Sequence, residues 1–317
     1  MSQKRIGVAV RGNHAVEALD IMVRAEELGV DAAWMTTGGA RPDSLTMFAA
    51  AALRTQTIML GTSIVPILPR HPLVMVQQTQ VVAQLAPGRF RLGVGPSHRP
   101  MMESMGLDFT APVGHLREYV QVLKALLQEG RVDFKGTYYQ ATDSIPEGLD
   151  VPVMASALRS GAYELCGEVA DGAISWICPG EYLRDVALPA MQTGAERAGR
   201  PVPPLIAHAP ICVHDNADEV RAAVREQIMN PRLTFYQNML VDAGFPEGRE
   251  GGWSDAMIDA VVFWGGEAQV AQRLQELLAM GATEILASPV LAGGDRDASL
   301  ERNLRLLGQV AQAVSAA

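Results

Sequence analysis

Eight short runs of apolar and β-branched residues recur along the chain, and helical spacing follows nearly every one. The runs are RIGVAV (5–10), DAAWMTT (31–37), TIMLGTSIV (57–65), RFRLGVG (89–95), VPVMAS (151–156), GAISWIC (172–178), PLIAHAPICV (204–213) and EILASPV (284–290). Helical periodicity occupies 15–29, the segment from Asp43, 73–86, 115–130, 160–170, 181–199, 217–228, 267–281 and 299–314. Runs this apolar suit strands buried on both faces, as in a parallel sheet covered by helices. Eight β–α units predict an α/β fold of the (β/α)8 TIM-barrel type, and 317 residues lie within its size range. An open doubly wound sheet competes with it, but no linker, repeat or low-complexity tract divides the chain into halves. Gly29, Gly130 and Gly281 stand where helices should close. The expectation is a single domain over 1–317, with insertions near 96–112, 131–150 and 229–263.

Composition removes several function classes. The net charge is −9, with no basic cluster suited to phosphate backbones or anionic lipid, so neither nucleic acid nor membrane is expected as a partner. The N-terminal apolar run spans only six residues before Arg11, which reads as a first strand rather than a signal peptide. Cys166, Cys178 and Cys212 lie far apart in apolar surroundings, as buried thiols of a reducing compartment do, and a cytoplasmic location follows. Of the 26 basic residues only Lys4, Lys124 and Lys135 are lysines, and none falls at the end of a strand, where an imine-forming lysine belongs.

In a barrel the chemistry sits on loops at the C-terminal ends of the strands. Those loops are 36–43, 63–71, 95–108, 156–161, 176–179, the 229–263 insertion and the segment after Pro289. In SALRSGAYELCGEVADG a short polar loop enters a helix directly. The N–H groups of Arg159, Ser160, Gly161 and Ala162 would point outward with the helix dipole behind them, as in a phosphate cradle. An ordinary helix cap beside an exposed arginine accounts for the same residues. In GVGPSHRP two glycines allow close backbone approach, but the third glycine of a dinucleotide fingerprint is missing. His98 can exchange a proton near neutrality, or it can simply face solvent as loop histidines do.

His71 precedes Pro72 and should cap or orient the following helix. His208 and His214 share a strand face by parity but lack a carboxylate partner nearby, so no metal site is expected. Phe235, Tyr236, Trp253 and Trp264 make the 229–263 insertion either a satellite core or a lid over the mouth.

The run LGTSIVPILPRHPLVMVQQTQVVAQLAPGRFRLGVGPSH resembles the luciferase-like monooxygenase superfamily, and most of all its branch that uses the deazaflavin coenzyme F420. HLREYVQVLKALL, SALRSGAYELCGEVADGAISW and the Gly-Ala-Thr-Glu turn before the last strand extend the resemblance over essentially the whole chain. It implies a (β/α)8 barrel and a cis peptide at Ser63–Ile64 whose bulge backs the cofactor ring. It also implies that Leu158 to Gly161 hold the cofactor phosphate and that Pro96, Ser97 and His98 lie beside the ring. The cofactor-binding set expected on this basis is Thr37, Gly38, Ser63, Ile64, Pro96, Ser97, His98, Ala157, Leu158, Arg159, Ser160, Gly161, Ala162 and Trp176, with His98 as the catalytic proton donor. One departure stands out. Relatives carry Asp-His after strand two, and here Thr37 and Gly38 occupy those places, which argues against the sugar-phosphate dehydrogenase subgroup.

The function implied is an oxidoreductase moving a hydride between F420 and a small organic substrate, in a homodimer. Its rivals are an FMN-dependent monooxygenase, a non-catalytic flavin-binding protein and a cofactor-free barrel isomerase.

Overall fold

The computed structural model describes residues 4–11, 14–229 and 231–316. The eight barrel strands are β1 (Arg5–Ala9), β2 (Ala32–Met35), β3 (Met59–Thr62), β4 (Phe90–Gly95), β5 (Val153–Ser156), β6 (Gly172–Ile174), β7 (Leu205–Val213) and β8 (Glu284–Pro289). Each pairs in parallel with its sequence neighbours, and β8 pairs with β1 from Arg5–Glu284 to Val8–Ala287, so the sheet closes without an edge. The predicted (β/α)8 barrel is the fold observed.

Several expected boundaries shift for physical reasons. The run 57–65 breaks after Thr62, where the Ser63–Ile64 peptide is cis, and only Val65–Pro66 pairs again with β4. The run 172–178 ends as strand at Ile174, and Ile177 adopts a φ of 46°. The expected helix 181–199 starts at Gly180–Tyr182, widens to a π-turn over Leu183–Ala187 and continues as Leu188–Arg197. Pro189 has no N–H for a partner one turn back, which accounts for the interruption there.

All three insertions contain structure that apolar periodicity did not disclose. The first holds a helix, Arg99–Ser104, and the second an antiparallel hairpin of Arg131–Lys135 with Gln140–Ser144. The third holds helices Thr234–Asp242 and Asp255–Val261, then a strand, Phe263–Gly265, parallel to β7. Capping follows the residues expected. Asp43 accepts from Thr46 N, and His71 Nδ1 accepts from Leu73 N at 3.3 Å.

The helix after β5, Ser160–Val169, lies against Leu188–Arg197 with backbones almost touching. A Cβ on Gly167 would stand 2.2 Å from the Met191 carbonyl, and one on Gly194 would stand 2.0 Å from that of Glu164. Two glycines thus fix where the front of this helix meets the mouth. The three cysteines are free and buried, and burial raises the Cys166 and Cys178 thiols to about 12 and Cys212 to about 11. Lys4 is held by the carbonyls of Leu278 and Ala282, and Lys124 by Asp171, so neither stands at the mouth.

Inside the barrel, side chains two residues apart on a strand point to the axis. Ala32, Trp34, Met154, Ile174, Ile206 and Leu286 form one buried cluster there. Trp34 fills most of the cross-section, and Gly7 and Gly61 leave room for it, since a Cβ on either would fall within 2.8 Å of the indole. Below it, Arg91 grips Glu284 through two contacts of 2.5 and 2.9 Å, and the Trp34 Nε1–H donates to the same carboxylate at 2.7 Å. The Arg91 guanidinium also lies 4.4 Å from the Trp34 ring centre.

Removing one partner of such a pair strands a buried charge and typically costs about 3–5 kcal/mol, whereas replacing both with apolar groups is often near neutral. Urea melts should therefore show Glu284→Ala losing several kcal/mol. Arg91→Met combined with Glu284→Leu should recover most of it, and equal losses in the two proteins would contradict this account.

Candidate active site

The parity that places Trp34 on the axis sets the next inward layer at the strands' C-terminal ends. Arg11 follows Ala9, Thr36 follows Trp34, Ser156 follows Met154, Trp176 follows Ile174, His208 follows Ile206 and Ser288 follows Leu286. The apolar filling thus gives way to a polar floor one step higher. Arg11 Nη2 donates to Ser288 Oγ at 3.0 Å, and the rings of Trp176 and His208 stack at 3.8 Å and 17°.

Beyond β3 the cis Ser63–Ile64 unit is tied to β2 on both sides. Thr36 Oγ1 donates to Ser63 O at 2.6 Å, and Thr37 N donates to Ile64 O at 3.0 Å. Thr62 Oγ1 links it to β4 by donating to Gly93 O and accepting from Gly93 N. Thr37 meets the mouth through its backbone alone. Its hydroxyl lies 2.6 Å from Ser44 Oγ and accepts from Ser44 N, so the side chain caps the next helix. Gly38 brings no side chain, and the nearest atom to a Cβ there would be Met101 Cε at 3.7 Å.

On the β5 side, Ala157 is anchored by its N–H to Ile174 O, and Leu158 O accepts from Tyr182 OH at 3.1 Å. The helix begins at Ser160 with Arg159 as its cap residue, and no side chain caps it. The expectation that four N–H groups face outward needs one correction. Ala162 N donates to Arg159 O at 2.9 Å, because the first turn tightens, so Ser160 and Gly161 carry the outward N–H groups within the helix. A Cβ on Gly161 would meet nothing within 4 Å, so the space in front is open. Arg159 Nη2 pairs with Asp242 of the third insertion at 3.0 Å, while its buried Nη1 has no partner among the described residues. Main-chain amides, open space and a half-satisfied guanidinium make a set that suits a phosphate.

His98, after Pro96 and Ser97, is half-buried rather than exposed. Ser97 takes a φ of 62° and its hydroxyl reaches Met101 Sδ at 3.5 Å, which turns the chain into the Arg99–Ser104 helix. The His98 ring stacks on Phe235 at 5.7 Å and meets Tyr236 edge-on at 5.8 Å. The third insertion therefore covers this side of the mouth. Trp253 and Trp264 belong instead to its own packing, with their Nε1 atoms bonded to Met229 O and Asp259. His98 Nδ1 is buried without a partner among the described residues, and burial lowers the pKa of the ring.

His208 is the residue that sequence reasoning missed. It is 2% exposed, accepts from Ile177 N at Nδ1 (3.1 Å), and leaves Nε2 buried and unpartnered among the described residues. An accepting Nδ1 puts the proton of the neutral ring on Nε2. Burial, aided by the Arg11 charge, lowers its pKa well below the ordinary histidine value. The available signal was its place, one step past Ile206 on an inward face. Pairing it with His214 does not hold. The His214 N–H turns back to Cys212 O, and its ring binds Glu219 at 2.9 Å outside the barrel. Among the described residues no group of three His, Cys, Asp or Glu could hold a metal ion.

Two shallow clefts, one lined by Ala83, Pro87 and Asp150 and one by Asp20, Arg24 and Glu301, are removed from this mouth. The second has its charges largely paired already, Arg24 with Glu301 and Asp20 with Arg54, so the mouth remains the candidate site.

Residues 2–284 match the family described as luciferase-like monooxygenase. The chain belongs to that family. Within it, the chain is 36% identical over 205 residues to the F420-dependent glucose-6-phosphate dehydrogenase of Nocardia farcinica, covering 59% of this chain and 61% of that protein. The match therefore spans about three fifths of that relative's length. Among solved structures, the coenzyme F420-dependent tetrahydromethanopterin reductase of Methanopyrus kandleri superposes with a TM-score of 0.80 at 21% identity, covering 98% of this chain and 99% of that one. The oxygenating constituent of 3,6-diketocamphane monooxygenase from Pseudomonas putida, in complex with FMN, superposes with a TM-score of 0.72 at 18% identity, covering 98% of each chain. Both structural likenesses establish the luciferase-like fold.

Burial of His98 and His208 should make this luciferase-like chain acid-sensitive. Their folded-state pKa values are lowered, so the neutral rings fit and protonated ones do not. Stability should be complete above the unfolded histidine value, about 6.5, and decline as pH falls below it. Thermal melts should show Tm dropping between pH 6.5 and 5, above the carboxylate range, and His208→Gln should flatten that slope. An unchanged slope in the variant would count against His208 as a source.

Proposed function

We propose that this chain is an F420-dependent oxidoreductase that moves a hydride between the deazaflavin and a small organic substrate. The observation that carries the reading is the open Ser160–Gly161 amides beside a half-satisfied Arg159 at the mouth of a luciferase-like barrel. The F420-dependent relative from Nocardia supports the choice of cofactor. When bound, F420 supplies the hydride chemistry.

The chain's own residues then bind, orient and shield. Ser160 N–H, Gly161 N–H and the free Arg159 N–H groups would hold the phosphate, and Ser63–Ile64 would support the ring. Pro96, Ser97 and Trp176 would flank it, and Thr37 and Gly38 would shape the β2 side through backbone alone. His98 exchanges a proton with the substrate at a ring nitrogen, while Phe235 and Tyr236 exclude water from that side. Thr37 and Gly38 replace the acid-base pair that the resemblance leads one to expect after β2, so His98 takes that role from β4.

Titrating the apoprotein with F420 and with FMN, each followed by its own absorbance and fluorescence, tests the proposal. F420 should bind in preference. Uptake of FMN alone would transfer the reading to oxygen chemistry, and uptake of neither would end it. Gly161→Glu sets a carboxylate in the cradle, where the open space accepts it, and should weaken F420 about tenfold or more without lowering Tm.

His98→Ala should lower turnover about 10²–10⁴-fold while F420 affinity stays within about twofold. Wild-type turnover in that variant would remove His98 from the mechanism.

A further inference from the structure

On the β7, β8 and β1 side of the mouth, His208, Ser288 and Arg11 stand on neighbouring strands, and among the described residues no carboxylate pairs with Arg11. His208 Nε2 carries the ring proton, because Ile177 N–H occupies Nδ1, and it is buried without a partner among the described residues. Arg11 reaches over from β1, and its guanidinium is close enough to weigh on the His208 ring. Arg11 makes no ion pair among the described residues. Its contacts are the neutral Ser288 hydroxyl at 3.0 Å and the Gln227 carbonyl at 3.4 Å. A buried N–H donor facing an uncompensated guanidinium is unfavourable until an anionic oxygen comes between them.

We propose that Arg11, His208 and Ser288 form the seat for a substrate carboxylate. The assignment rests on the oxidoreductase reading only in calling the occupant a substrate. A planar two-oxygen group matches the fork of Arg11 on one oxygen edge and leaves the other oxygen for His208 Nε2–H. A phosphate would need further donors. Lys4 and Lys124 are engaged elsewhere. Arg11 is exposed, whereas Nε2 is closed off, so occupancy requires the Arg11 side chain to turn from Ser288 onto the incoming oxygen. This seat also accounts for a mouth that does without the lysines a phosphosugar site would use.

The test is calorimetric titration of the full, cofactor-free chain with oxalate and, separately, with inorganic phosphate at matched ionic strength, with tryptophan fluorescence as a second readout. Oxalate should bind saturably, more tightly than phosphate, and should perturb the emission. Arg11→Gln should weaken it about tenfold or more, and Arg11→Lys should restore only part of that loss. His208→Phe keeps a ring against Trp176 but removes the donor and should weaken oxalate similarly, while His208→Gln, which keeps an N–H, should lose less. Absence of saturable oxalate binding, oxalate affinity unchanged in Arg11→Gln, or tighter binding of phosphate would overturn the proposal. Arg11 is exposed, so Arg11→Gln decides the matter even if a His208 variant fails to fold. F420 titrations of the same proteins keep the two readings apart. Oxalate binding without F420 binding sinks the cofactor assignment alone, and F420 binding without oxalate binding sinks the seat alone.

Discussion

The plug of Trp34 over the Arg91–Glu284 pair is the contact on which the arrangement of this barrel depends. Eight parallel strands can close only if the axis is filled, and here one indole does most of the filling because two glycines stand aside for it. The indole is also wired downward, through its N–H to Glu284. Strands β2, β4 and β8 are thereby joined across the axis as well as around the wall. Three polar side chains so deep in a barrel are tolerable because their main hydrogen-bonding groups face one another.

With the lower axis sealed, the layer above it is free to be polar. The inward positions two residues past the apolar cluster are Arg, Thr, Ser, Trp, His and Ser. The mouth divides accordingly. The β3 to β5 side offers a tethered bulge and main-chain amides, which suit a flat ring with an anionic tail. The β7, β8 and β1 side offers side-chain donors, which suit the molecule that reacts with the ring. His98 and the aromatic pair from the third insertion pack together on the β4 side. This division is the physical basis for reading the chain as a cofactor-dependent enzyme rather than a barrel with a single undivided pocket.

The barrel itself was legible because β–α alternation leaves a strong periodic trace, and the helix starts at Asp43 and His71 were legible from capping chemistry. The cis bond at Ser63 came from the family resemblance, since no local pattern announces it. Other features were out of reach for stated reasons. The strand Phe263–Gly265 is three residues long, too short for any period to show. Thr37 was placed correctly in the chain, yet its hydroxyl faces Ser44, a choice made by a helix cap six residues away. Ala162 was counted among the outward amides because capping rules do not say when a first turn tightens. His208 was set aside as a metal-ligand candidate, when the question that mattered was which layer of the axis it belonged to.

The cysteines carry one more consequence. Burial raises the Cys166 and Cys178 thiols far above the ordinary cysteine value, so they stay protonated and shielded while the chain is folded. A maleimide therefore modifies chiefly molecules that have opened. Cys178 sits beneath the β6 loop, its sulfur 3.7 Å from Tyr163 OH and 3.5 Å from the Trp176 carbonyl, whereas Cys212 lies in β7. The order in which these thiols are alkylated is a clock for which part of the wall loosens first, with no label added to the native chain.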